Sequence, residues 1–129
     1  MKIQEIYDGA LRLAGEISLS GANEDYEERA PYLTAIICHR YGHLDRLYRK
    51  AHGLEVQNLL SLTKFPFPAT FPLSDCFVYP ISLHLAALLV LEENPDLSQH
   101  LTDMADNAVE EIRHSIPFCK EEIISHYAI

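Results

Sequence analysis

Residues 73–114 read LSDCFVYPISLHLAALLVLEENPDLSQHLTDMADNAVEEIRH, and the fold turns on how this stretch is taken. From Ile81 to Leu91 the run is apolar except at Ser82 and His84. A helix greasy on nearly every side must be covered on nearly every side, so this one is expected at the centre of a core. The run is about half the roughly 20 residues a membrane span needs, and Glu92 and Glu93 close it. Asn94-Pro95 then marks a sharp joint, with Asn as N-cap and Pro at the first position of the next helix. In that next helix Leu97, Leu101, Met104, Ala105, Ala108 and Ile112 share one face, and Asp103, Asp106, Glu110 and Glu111 fill the rest. Ser74 stands where a cap is expected, with Asp75 in the first turn. Pro80, about two turns in, predicts a bend.

Upstream, Ile3, Ile6, Tyr7, Ala10, Leu13, Ala14 and Ile17 recur at helical spacing, a first amphipathic helix with Gly15 near its end. Residues 18–24 form a loop by composition. Asn23 suits an N-cap, and Glu24, Asp25, Glu27 and Glu28 load the first turns where the helix dipole favours negative charge. The second helix should run to about Lys50, burying Tyr26, Leu33, Ile36, Ile37, Tyr41, Leu44 and Tyr48. Gly53 sits at its stop. Pro31 should kink it or mark its true start. Residues 54–72 carry Pro66, Pro68 and Pro72, which exclude a helix there. With Phe65, Phe67 and Phe71 alongside, the segment is expected to lie extended over the bundle, with a short strand or hairpin, or to dock on a neighbouring subunit.

The expected fold is therefore all-α: one domain over residues 1–129, with four main helices at about 3–17, 24–50, 74–93 and 95–114. At 129 residues the chain is long enough for one hydrophobic core. The first residues lack a signal-peptide pattern, so a cytoplasmic chain is expected. Cys38, Cys76 and Cys119 are odd in number and far apart, and read as reduced, buried thiols. Net charge is -9, and it is uneven. Residues 1–53 hold seven Lys/Arg against eight Asp/Glu, whereas residues 54–129 hold three against eleven. Such a surface repels phosphate backbones and anionic membranes, which argues against sequence-specific nucleic-acid binding and leaves protein partners.

No motif names a chemistry. His39 and His43 lie at i and i+4, so both rings can reach one metal from one helix face. A zinc site needs a third ligand, though; Cys38 points roughly 100° away and Asp45 is off-face. Glu111-x-x-His114 has the spacing of half a di-iron site, but no second copy exists. Cys76 lies in a first turn, where the dipole lowers a thiol's pKa, while Asp75 raises it. Glycine-rich phosphate loops, serine elbows and paired carboxylates are missing from the sequence. The tyrosines at 7, 26, 32, 41 and 48 read as helix-interface residues. No catalytic residue and no cofactor is expected.

Several stretches together resemble small head-morphogenesis proteins encoded by prophages of Firmicutes-type bacteria. IQEIYDGALRLAGEIS and DYEERAPYLTAII are similar to their first two helices, and PLSDCFVYPISLHLAALLVLEENPDLSQHLTDMADNAVEEI is the closer match. The likeness covers about two thirds of the chain; HRYGHLDRLYRKAHG and the tail after Pro117 lie outside it. The resemblance implies a non-enzymatic head–tail connector of the adaptor or head-completion kind. Such a protein docks, as a homo-oligomeric ring, on the phage portal or an adjacent tail-completion protein. It would be made in the host cytoplasm and end in the virion neck. An acidic helix face would suit a channel that DNA slides past. Phe65, Phe67 and Phe71, with Ile123, Ile124 and Tyr127 of the apolar tail, are then the candidate docking residues. The alternative from the residues themselves is a metal-binding or hydrolytic helical protein using His39, His43 and a ligand such as Asp45 or His52. A third is a small acidic interaction module.

Overall fold

A computed structural model of the chain describes residues 1–15, 24–56 and 63–116. Its elements are α1 (Ile3–Leu13), α2 (Glu24–Ala51), a 3-10 turn (Asp75–Phe77), α3 (Val78–Val90) and α4 (Pro95–Ser115). Nine of the thirteen residues of α3 are buried, including Ile81, Leu83, Leu85, Ala86 and Leu89, which makes it the central rod. α1, α2 and α4 each pack on it, α4 most extensively. The expected all-α bundle is present. A helix apolar on all sides has one stable place in water, and its neighbours each supply a stripe to cover it.

The joint after α3 is closed by backbone bookkeeping at a helix end, where the last carbonyls have no partner in their own helix. Ala87 O accepts from Ser98 Oγ at 2.8 Å, and Leu89 O from Arg29 at 3.2 Å. Val90 O accepts from the backbone of Glu93 and Asn94. Asn94 caps α4 as expected, its Oδ1 accepting from Leu97 N–H at 3.1 Å with Pro95 behind it. Those bonds stop α3 at Val90, so the expected boundary at residue 93 is three residues long. Pro80 does not bend a helix interior. It is the third residue of α3, where a missing N–H costs nothing, and a 3-10 turn stands directly ahead of the helix.

α1 ends at Leu13, shorter than the expected residue 17, because Gly15 takes a left-handed conformation (φ 76°) and turns its N–H onto Arg12 O. α2 spans its expected range. Gly53 (φ 68°) terminates it, with Leu54 N–H on Arg49 O and Gly53 N–H on Lys50 O, the paired bonds of a Schellman stop. Pro31 is buried inside α2 and does not start it. Asn23 and Ile17 lie outside the described residues.

The segment carrying the prolines is a strap over the bundle, with no strand among the described residues; Lys2 and Thr70 form one isolated bridge. Its backbone meets α1 where α1 needs partners. Ile3 N–H donates to Ala69 O at 2.9 Å and Gln4 N–H to Phe67 O at 3.0 Å, satisfying two orphan donors of the first turn. Phe71 N–H donates to Met1 O, and Phe65 N–H to Pro31 O.

Candidate functional site

Two polar clusters sit where helices meet. In the first, Tyr41 of α2, His84 of α3 and Asp106 of α4 converge. Tyr41 Oη lies 3.0 Å from His84 Nε2, and Asp106 Oδ1 lies 3.6 Å from the same nitrogen. The tyrosine ring also stands edge-on to the imidazole. Burial lowers the His84 pKa, outweighing the upward pull of Asp106, so the ring is neutral at neutral pH. Burial also pushes the Tyr41 hydroxyl up to about 12, which keeps it a donor for that ring. His84 is one of the two polar interruptions of the apolar run. Periodicity places it on the core helix but says nothing of its partners.

The second cluster is a staple between α2 and the residues leading into α3. Asp45 is 2% exposed. One carboxylate oxygen accepts from Arg49 Nε at 3.0 Å and the other from Ser74 N–H at 2.9 Å. Arg49 also reaches Pro72 O and Glu55 O. Ser74 therefore occupies the cap position without capping: its own side chain makes no cap bond, and its backbone N–H is held by Asp45. Asp45 is thus a buried structural carboxylate, not the loose ligand that a metal reading needs.

The histidine pair is exposed on α2, with the His39 ring 5.9 Å from that of Phe65. His52 stacks on Tyr48, its Nδ1 2.9 Å from Tyr48 O. Among the described residues no three His, Cys, Asp or Glu side chains are grouped so as to hold a metal ion. Cys38 is fully buried, and desolvation with Asp45 nearby pushes its thiol up to about 12. Cys76 is also raised, chiefly by burial, although a bond with the Tyr48 hydroxyl opposes the shift. Neither thiol is activated. Cys76, Tyr79, Pro80, Glu111 and Ile112 line a shallow cavity of about 210 Å³ between α3 and α4. Glu111 and His114 do not act together; His114 lies 3.8 Å from Glu110 instead.

The docking candidates of the strap need correction. Phe65 and Phe71 are 5% and 6% exposed, and Phe67 packs its ring 5.0 Å from that of Tyr7. Phe65 and Phe71 are core residues with no side chain to offer a partner, and Phe67, half-buried, packs against the chain's own core. Ile123, Ile124 and Tyr127 lie outside the described residues. The surface that sequence reasoning missed is on α2. Ile36, expected in the buried stripe, is 56% exposed, and Tyr32 beside it 48%. The buried face instead runs through Tyr26, Ala30, Thr34, Ile37, Cys38, Tyr41, Leu44 and Asp45. Thr34 and Asp45 disguise that face as polar, and Ile36 lies about 140° around the helix from Tyr41.

Fold and clusters together define an all-α protein whose buried polar groups tie helix to helix. Comparison with protein-family models, curated proteins and solved structures gave no match to this chain.

Proposed function

We propose that this chain is a non-enzymatic structural subunit of a phage or prophage neck, a head–tail connector that docks between the portal and the tail. The observation that carries the reading is the sorting of surface charge onto two helix faces. The outer side of α4 exposes Asp96, Asp103 and Glu110, the last paired with Arg113, with Asp106 and Glu111 on its flanks toward α3, whereas the second half of α2 exposes Arg40, Arg46 and Lys50. A subunit that works by being held between neighbours needs faces its own fold leaves uncovered, and complementary charge selects the neighbour. The all-α class agrees with the resemblance of residues 3–18, 25–37 and 72–112 to small head-morphogenesis proteins. The net charge of -9 leaves an assembled ring acidic, so DNA passing through is repelled and not bound.

Co-expression with the portal protein of the same genome tests this. The expected result is a portal ring that purifies with this chain at fixed stoichiometry and shows an added collar in electron micrographs. Portal rings that purify bare at every expression ratio would overturn the reading.

A further inference from the structure

We propose that the outer face of α2 in one copy docks on the outer face of α4 in a second copy, joining subunits head to tail. The inference rests on the reading of the chain as an assembly subunit and names the faces that join. On α2, Tyr32, Ile36, His39, His43, Arg46 and Lys50 recur at intervals of four, three, four, three and four, and all are exposed. That is the seam spacing of two helices packed along their length. Its first half carries Ile36 and Tyr32, whose ring has the Lys64 ammonium 5.5 Å from its centre, and its second half is basic. From residue 30 to residue 51 Asp45 is the sole carboxylate, and it is buried against Arg49. Arg46 and Lys50 make no ion pair among the described residues.

The face that matches it is on the same molecule. Asp96, Asp103 and Glu110 recur every seven residues along the exposed side of α4, Glu110 shared with Arg113 at 3.0 Å, and Asp106, which also faces His84, and Glu111 lie on the flanks. At 1.5 Å per residue the α2 stripe runs about 27 Å and the α4 stripe about 21 Å, so the acidic stripe spans the basic half of the other with length to spare. The two stripes do not meet within one chain, because α2 and α4 each turn a buried side to α3 and leave the stripe exposed. Two different, complementary patches pointing away from a shared core give a heterologous contact. Repeated, such a contact closes as a ring or extends as a filament. Attraction between exposed charges also makes the contact salt-sensitive.

Sedimentation of the full chain tests the proposal. The wild-type chain is expected to sediment above monomer mass at about 0.05 M salt and to shift toward the monomer at about 1 M. Arg46→Glu with Lys50→Glu, and separately Asp103→Lys with Glu110→Lys, should each leave a monomer with unchanged helix content. Mixed in equal amounts, the two reversed chains should assemble again, since each then offers the other a matching face. Ile36→Ser, which alters no charge, should weaken assembly several-fold. A wild-type chain that stays monomeric at low salt, or assembly untouched by both reversals, would overturn the proposal. The two readings fail separately. Assembly that responds as stated but ignores the portal sinks the connector reading alone. Portal binding with self-association indifferent to the reversals sinks these faces alone.

Discussion

Tyr41, His84 and Asp106 come from three helices, so a proton added at one ring is felt across the bundle. The folded chain holds the His84 pKa below its ordinary value of 6.5. Below that pH the unfolded chain takes up the proton first. The contribution of this site is therefore fully present above about pH 6.5 and is lost as pH falls through the lower, folded value. Denaturant unfolding at pH 7.5 and 5.5 should show a drop for the wild-type chain that His84→Gln flattens; equal drops in both would remove His84 from the account. Asp45 makes a sharper case. Replacing it with Ala leaves the Arg49 guanidinium, 16% exposed at its side chain, with carbonyl partners but no counter-charge, and leaves Ser74 N–H without its acceptor. Breaking a buried pair on one side costs roughly 3 kcal/mol or more, and a loss under about 1 kcal/mol by urea titration would contradict the staple. An Asp45→Asn chain, which keeps one acceptor for Ser74, should lose less.

At the scale of elements, stops were easier to read than faces. Gly53, Asn94 and Pro95 act through backbone geometry that a local sequence fixes, and each sits where it was expected. Asn94→Ala should accordingly cost about 1 kcal/mol, measurable as a lower urea midpoint with an unchanged slope. The face of α2 was misjudged for a different reason. Periodicity scores Thr34 and Asp45 as outward, yet both are buried, and what holds Asp45 inside is an Arg one turn on and a backbone N–H twenty-nine residues away. Partners so distant leave no local signature. The same holds for the strap: its phenylalanines looked spare because the donors that seat it, Ile3 and Gln4 N–H, lie more than sixty residues earlier in the chain. The polar cluster around His84 was invisible in turn, since its partners lie on α2 and α4.

For the whole molecule the decisive fact is that α3 is shared. α1, α2 and α4 are each covered by packing on it, while the contacts among the other three are slight. No outer helix can then keep its buried stripe dry once α3 leaves, so the described helices should unfold as one unit. Leu85 tests this at the centre, being 0% exposed. Leu85→Ala removes buried methyls and leaves a cavity that rigid neighbours fill only in part, at about 3 kcal/mol. Against a typical total of roughly 5–15 kcal/mol that is a large share, so the urea midpoint should fall clearly. Far-ultraviolet dichroism reports all the helices, while tyrosine fluorescence follows the surroundings of Tyr7, Tyr26 and Tyr41, which are buried on α1 and α2. The two curves should coincide in both the wild-type chain and the variant. If fluorescence moves first, α1 or α2 leaves before α3, and α3 is not the common support that its burial indicates.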